Sequence, residues 1–134
     1  MKILLIGDIV GHRGRQCVAR FLPELRAEYG LDLVVANAEN AAGGLGATPT
    51  VIAELHRMGV HGITLGNHTW RKKELAGGLR NLDYVVRPAN YPEGVPGQGS
   101  TILQLADGRL VGLVNLLGRV FMEPCVCPFE TGLR

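Results

Sequence analysis

The chain has 134 residues, enough to bury the core of one domain, and we expect a single domain over residues 1–134. Its formal net charge of +2 is too small to indicate a nucleic-acid or membrane surface, and its hydrophobic content of 46% is ordinary for a globular protein. An odd count of three cysteines, with neither a leader pattern nor an apolar stretch of about 20 residues, favours a cytoplasmic protein that does not enter a membrane.

The apolar segments predict strands and helices in alternation. Short apolar runs typical of strands buried on both faces cover Lys2–Ile6, Leu31–Ala36, Val60–Leu65 and Tyr84–Val86. Apolar residues at helical spacing predict helices over Arg15–Tyr29, Thr48–Met58 and Trp70–Leu82. Pro23 lies inside the first of these helices, and we expect it to kink the helix or to restart it.

A β-hairpin is predicted near residue 107. The turn Asp107-Gly108 joins two apolar runs, Thr101–Leu105 and Leu110–Leu117, and an Asp-Gly pair between such runs is a strong hairpin signal. The order βαβαβαβ plus a hairpin places the chain in the α/β class. Residues 118–134 show no convincing helix pattern.

Polar, glycine-rich loops follow the first three predicted strands. The side chains of interest in these loops are Asp8, Glu39, Asn40, Asn67 and His68. The loops lie about 30 residues apart, which is the length of one strand–helix–strand unit. Because parallel neighbouring strands end at one edge of a sheet, we expect the five side chains to lie close together.

This residue set favours a metal or phosphate site. Two carboxylates and two amide oxygens form a hard, oxygen-rich ligand set, and a histidine can ligate a metal or transfer a proton. Crowded carboxylates repel one another unless a cation neutralises them, and a carboxylate shared by two divalent ions gives a site that activates water. Singly, each residue has an ordinary alternative as a turn or helix-capping residue.

Three arginines, Arg13, Arg15 and Arg20, follow the first loop closely. The favoured interpretation is a solvated helix face, and steering of an anionic substrate is the alternative. The histidines other than His68 are expected at surface or edge positions.

Four ordered motifs carry a resemblance that spans nearly the whole chain. They are Gly7-Asp8-Ile9-Val10-Gly11, the segment 37–44 (NAENAAGG), Gly66-Asn67-His68-Thr69-Trp70, and the segment 87–92 (RPANYP). Together they resemble the bacterial YmdB-like branch of the calcineurin-like metallophosphoesterases. The resemblance implies an α/β/β/α sandwich, of which this chain would form the N-terminal half. It also implies a metal-dependent phosphodiesterase or phosphatase acting on small phosphoesters, such as 2′,3′-cyclic nucleotides or RNA-related substrates.

The same resemblance implies roles for the five loop residues. Asp8 resembles a terminal ligand of the first of two divalent metal ions, and Glu39 resembles the carboxylate that bridges them. Asn40 and Asn67 resemble amide ligands near the second ion. His68 resembles the catalytic histidine that protonates the leaving oxygen or stabilises the transition state, while a metal-bound hydroxide attacks phosphorus. The implied metals are iron or manganese, with magnesium as an alternative.

Length is where the chain departs from that family, whose members are about twice as long and carry further histidine ligands in their second half. We therefore expect a C-terminally incomplete domain, which is either a fragment or a truncated form. Such a chain should bind metal weakly and show little activity. An uncovered strand at Leu110–Leu117 should favour homo-oligomers. The alternative function is a non-catalytic α/β regulatory module that binds a phosphate or a nucleotide. A doubly wound nucleotide-binding domain is less well supported, because its glycine fingerprint is missing.

Overall fold

The computed structural model describes residues 1–133, and its strands and helices alternate in the predicted order. The strands are β1 (Ile3–Ile6), β2 (Leu33–Asn37), β3 (Gly62–Thr64), β4 (Val85–Val86), β5 (Ser100–Gln104) and β6 (Leu110–Val114). The helices are α1 (Gly11–Tyr29), α2 (Pro49–Arg57), α3 (Lys73–Gly78) and α4 (Pro128–Gly132), with a 3₁₀ turn at Leu79–Asn81.

The first four strands form one parallel sheet in the order β1-β2-β3-β4. Ile3 lies opposite Leu33, and Ile63 lies opposite Val85. Because consecutive strands are neighbours and run in one direction, the carboxyl ends of β1, β2 and β3 meet at the same edge. The structure thus confirms the predicted α/β class and its parallel sheet.

The two faces of this sheet are covered by different layers. On one face, Val34 and Ala36 of β2 pack in a core with Leu22 of α1 and Ile52 of α2. On the other face, Leu33 and Val35 of β2 pack against Leu103 and Leu105 of the hairpin, which forms a separate antiparallel sheet. The arrangement is therefore an α/β/β stack, and burial of each such aliphatic side chain stabilises it by about 1.5–3 kcal/mol.

Helix α1 is longer than predicted and is continuous through Pro23. Pro23 lies on the exposed side of the helix, where the loss of a single backbone hydrogen bond is tolerated, so the predicted restart is wrong. The helix ends at Gly30, which adopts a left-handed conformation with φ of 60° and donates its N–H to the Arg26 carbonyl. At the start of α2, Thr48 Oγ1 accepts the Val51 N–H at 3.3 Å, as its capping position predicts.

Strand β1 is not buried on both faces, and that prediction is wrong. Leu4 and Ile6 pack against the core on the helix side, but Leu5 is 73% exposed and Ile3 is 40% exposed. The reason is positional, since β1 is at the edge of the sheet while the hairpin packs on β2.

Two helix predictions also need correction. The helix predicted from Trp70 begins only at Lys73, because residues 66–71 form turns after β3, and it gives way at Gly78 to the 3₁₀ turn. The C-terminal segment does contain a helix, the short α4, with Pro128 in its first turn. Five residues are too few to show a helical period in the sequence.

Candidate functional site

Backbone hydrogen bonds lock together the loops that follow β1, β2 and β3. Ile9 N–H donates to the Asn37 carbonyl at 3.0 Å, and Gly11 N–H donates to the Asn40 carbonyl at 2.9 Å. A third bond joins Ala38 to the end of β3. The loops therefore keep the alignment of the sheet, which brings their polar side chains to one edge.

The side chain of Asn40 lies between Asp8 and His68. Its Nδ2 donates to both carboxylate oxygens of Asp8, at 3.0 and 2.8 Å, and its Oδ1 is 2.6 Å from Nδ1 of His68. Because Oδ1 is an acceptor, Nδ1 of His68 must carry the proton. Nε2 is then the ring nitrogen that is not hydrogen-bonded to Asn40. Residues from three separate loops thus form one hydrogen-bonded chain.

Glu39 is the second carboxylate of this cluster. Its Oε2 accepts the backbone N–H of His68 at 3.2 Å and lies 3.7 Å from His68 Nδ1, and its side chain is 17% exposed. A Cβ atom at Gly66 would overlap both carboxylate oxygens of Glu39. The glycine therefore makes the space that the Glu39 carboxylate occupies.

The loop after β3 is held by three donors on one carbonyl. The Gly66 carbonyl accepts Oγ1 of Thr69 at 2.6 Å, the N–H of Thr69 at 3.1 Å and the hydroxyl of Tyr91 at 3.0 Å. Burial raises the pKa of Tyr91, so its hydroxyl keeps the proton that it donates. This arrangement fixes the start of the segment that carries His68.

Four of the five predicted residues, Asp8, Glu39, Asn40 and His68, lie in this hydrogen-bonded cluster. Asn67 directly precedes His68 and is half-buried. Within residues 1–133 its side chain makes no hydrogen bond, so the structure does not join Asn67 to the network.

Sequence reasoning missed the support that Arg15 gives to the loop after β2, and it missed the buried amide of Asn90, which is next to Tyr91 in the chain. Arg15 is not part of a solvated face, because its side chain is only 14% exposed and donates to the Ala41 carbonyl at 2.6 Å. Asn90 is 1% exposed, and its amide binds both the N–H and the carbonyl of Leu117. Asn90 could have been suspected from its place in the motif at 87–92, whereas nothing in the sequence identifies the partners of Arg15.

Comparison with known proteins shows the family. A family model described as "YmdB-like protein" matches residues 4–133. The chain belongs to the YmdB-like family. It is 43% identical over 129 residues to a Bacillus subtilis (strain 168) protein named 2′,3′-cyclic-nucleotide 2′-phosphodiesterase, covering 96% of this chain and 48% of that protein.

Two solved structures are similar to this YmdB-like chain. A hypothetical protein from Thermus thermophilus matches with a TM-score of 0.90 and 41% identity, over 100% of this chain and 52% of the other. A structure described as a novel phosphatase from Mycoplasma pneumoniae matches with a TM-score of 0.90 and 32% identity, over 99% and 49%. The YmdB-like chain therefore spans about half the length of these relatives.

The donor atoms of the cluster include an amide as well as carboxylates and an imidazole. Within residues 1–133, no group of three or more His, Cys, Asp and Glu side chains is placed to hold a metal ion. Asp8, Glu39 and the amide of Asn40 nevertheless converge with His68. Such oxygen donors suit hard divalent ions such as Mg²⁺ and Mn²⁺.

Proposed function

We propose that this chain carries the N-terminal part of the active site of a metal-dependent phosphodiesterase or phosphatase. The observation that carries the proposal is the cluster of Asp8, Glu39, Asn40 and His68 at the carboxyl edge of the parallel sheet. Ligand sites in open α/β sheets lie at this edge. The names of the Bacillus and Mycoplasma relatives support phosphoester chemistry.

The metal ligands in this proposal are Asp8, Glu39, Asn40 and Asn67, and the ions are two divalent ions, iron or manganese, with magnesium as an alternative. The space left by Gly66 for the Glu39 carboxylate supports the assignment. The amide oxygen of Asn40 has two lone pairs, so it could bind an ion while it still accepts the N–H of His68. Such ions neutralise the crowded carboxylates, polarise the phosphoryl group and make water more acidic.

His68 is the proposed catalytic residue. Its Nδ1 donates to Asn40, and its backbone N–H donates to Glu39. These bonds orient the ring and leave Nε2 free to face the leaving oxygen of the substrate. In the imidazolium form both ring nitrogens carry a proton, and Nε2 is the one that can give its proton to that oxygen. The side chain is 24% exposed, so a small phosphoester has access to it.

The proposed substrate is a small phosphoester, with a 2′,3′-cyclic nucleotide as the specific candidate because the Bacillus relative is named for that substrate. A 2′,3′-cyclic phosphate is formed on ribose, so the proposal includes RNA-related substrates. A cytoplasmic location is supported by the free thiols of Cys17, Cys125 and Cys127. Within the described residues, no helix has the length and apolar character needed to cross a membrane.

The test uses the protein extended to the full length of its relatives, called the wild type below, because this chain matches only about half of them. It measures Mn²⁺ binding by calorimetry together with hydrolysis of bis-p-nitrophenyl phosphate and 2′,3′-cyclic AMP. We expect Glu39→Gln to weaken Mn²⁺ binding by at least about tenfold. We expect His68→Ala to bind Mn²⁺ but to lose about 10²- to 10⁴-fold in hydrolysis, the usual contribution of a general acid. Glu28→Gln, on the exposed side of α1, is the matched control and should behave as the wild type.

Equal Mn²⁺ binding by wild type and Glu39→Gln would contradict the metal assignment. Hydrolysis unchanged in His68→Ala would contradict the catalytic one. Binding of inorganic phosphate or a nucleotide without turnover in the wild type would favour the non-catalytic module.

A further inference from the structure

Arg15 connects two helices to the loop that carries Asn40. It lies in the second turn of α1, and its Nη1 donates to the Ala41 carbonyl at 2.6 Å. Its Nε donates to Oε2 of Glu54 on α2 at 3.0 Å, and its Nη2 lies 3.5 Å from Nδ1 of His12. The guanidinium thus uses different nitrogens for a loop carbonyl and for a carboxylate.

The carbonyl that Arg15 holds belongs to the 41–42 peptide, one residue beyond Asn40, and the N–H of the same peptide donates to the Gly46 carbonyl at 2.9 Å. Ala41 is fully buried, and its N–H donates to the Ala38 carbonyl at 3.1 Å. The Asn40 carbonyl accepts the N–H groups of Gly11 and Gly44, at 2.9 and 3.1 Å. These backbone bonds leave the Ala41 carbonyl to Arg15, whose side chain donates to it from outside the loop.

We propose that Arg15 is a positioning residue that fixes Asn40 between Asp8 and His68. This inference deepens the proposed function and rests on it. A planar guanidinium presents donors in a fixed fork, so one arginine can hold the loop carbonyl and be held by Glu54 at once. With a side chain that is 14% exposed, the interaction is little weakened by solvent.

The consequence for the site follows from the geometry of Asn40. Its two amide atoms serve different partners, Asp8 through Nδ2 and His68 through Oδ1. A shift of the 41–42 peptide, which Arg15 holds, would displace the adjoining backbone of Asn40 and disturb both contacts together. Loss of Arg15 should therefore weaken metal binding although Arg15 touches none of the proposed ligand atoms.

The test compares Arg15→Met with Arg13→Met. Arg13 is an exposed residue of the same helix, and its guanidinium donates a hydrogen bond to Gln16 at 3.3 Å. Amide hydrogen exchange should show about tenfold lower protection at Gly11 and Gly44 in Arg15→Met, with protection inside β2 unchanged. Mn²⁺ affinity should fall about tenfold, the usual effect of removing a group that orients a metal ligand. Arg13→Met should match the wild type in both measurements.

A lysine at position 15 separates positioning from simple stability. Arg15→Lys can donate to the Ala41 carbonyl or to Glu54 but does not reproduce the fork, so it should restore only part of the Mn²⁺ affinity. Unchanged exchange at Gly11 and Gly44 in Arg15→Met would overturn the inference. So would an equal loss of protection throughout β2, which would indicate global destabilisation.

The two proposals fail in distinguishable ways. If the wild type neither binds Mn²⁺ nor hydrolyses phosphoesters, the proposed function is wrong, but local exchange at Gly11 and Gly44 still decides whether Arg15 holds the loop. If the wild type binds Mn²⁺ and Arg15→Met binds it equally well, the positioning role is wrong and the proposed function stands.

Discussion

At the scale of single residues, the site depends on the side chain that Gly66 lacks. A Cβ atom there would overlap the Glu39 carboxylate, which is the free end of a flexible side chain. We expect Gly66→Ala to displace this carboxylate at little cost in stability, within about 1 kcal/mol, because Glu39 can rotate away. Mn²⁺ affinity should fall at least about tenfold, as measured by calorimetry alongside thermal unfolding.

Gly7→Ala is the control for this prediction. Gly7 also follows a parallel strand, but a Cβ atom there meets nothing within 4 Å. It should leave both Mn²⁺ affinity and thermal stability unchanged. Normal Mn²⁺ binding by Gly66→Ala would show that the observed position of the Glu39 carboxylate is not the one that binds metal.

The sequence identifies residues of the cluster whose position follows from strand order, but not those whose role depends on a distant partner. Asp8, Glu39 and His68 each follow a strand end, so the parallel sheet alone predicts that they converge. Arg15 could not be assigned in this way, because its partners Ala41 and Glu54 lie 26 and 39 residues away. A basic residue on a helix is usually exposed to solvent. Arg15 is an exception because α2 and the loop after β2 supply partners for its guanidinium.

At the scale of elements, His61 joins β3 to β2 and makes the pairing sensitive to pH. Its Nδ1 accepts the Val34 N–H at 3.0 Å, and its own N–H donates to the Val34 carbonyl at 2.8 Å. Burial, followed by the charges of Arg26 and His56, lowers the pKa of His61 below its ordinary value. The folded state therefore prefers the neutral ring.

This lowered pKa predicts a loss of stability in mild acid. Between the lowered folded pKa and the unfolded value of about 6.5, the unfolded chain binds more protons, so the free energy of unfolding falls as the pH drops through about 6.5. His61→Asn replaces Nδ1 by an oxygen that accepts the Val34 N–H without titrating. Urea unfolding at about pH 7.5, 6.5 and 5.5 should give the variant a shallower pH slope than the wild type.

The control for the pH prediction is His12→Asn, which removes an exposed imidazole. It should keep the wild-type slope. An identical slope in wild type and His61→Asn would show that protonation of His61 does not oppose folding.

The prediction of an element was confirmed where the sequence pattern of the segment determines its structure. It was wrong where the packing of neighbouring elements determines which faces are buried. The apolar residues 33–36 of β2 are indeed buried, and the cap at Thr48 begins α2 as expected. The equally apolar run of β1 has one exposed face, because what covers a strand depends on where the hairpin packs. An apolar run shows that a strand can be covered, not that it is.

At the scale of the whole molecule, the polar cluster and the apolar cores occupy different parts of the layered fold. The polar cluster lies at the carboxyl edge of the parallel sheet, while the two apolar cores fill the spaces above and below that sheet. The α/β class and the edge that carries the cluster were predictable from strand order and loop composition, whereas the layered sandwich was implied by the family resemblance. An uncovered strand at Leu110–Leu117 was expected, but which of its side chains would be exposed was not predictable, because the alternating pattern of β5 and β6 does not say which face packs on the parallel sheet.

The outer face of the hairpin predicts self-association. Ile102, Leu110 and Val114 are 69%, 65% and 57% exposed, and the register of β5 and β6 places them on one face. Contiguous apolar patches of this kind drive association in water, since their contact removes apolar area from solvent. We expect the average mass in sedimentation velocity to rise with protein concentration over about a tenfold range.

Lysine substitutions on that face provide the decisive comparison. Ile102→Lys combined with Leu110→Lys should shift the protein towards the monomer, because each charge would have to be desolvated on association. Gln104→Lys adds a charge to the same face without removing an apolar side chain, so it should reduce association less. If the double variant associates as strongly as the wild type, the contact lies elsewhere, and the exposed strand β1 with Leu5 becomes the next surface to substitute.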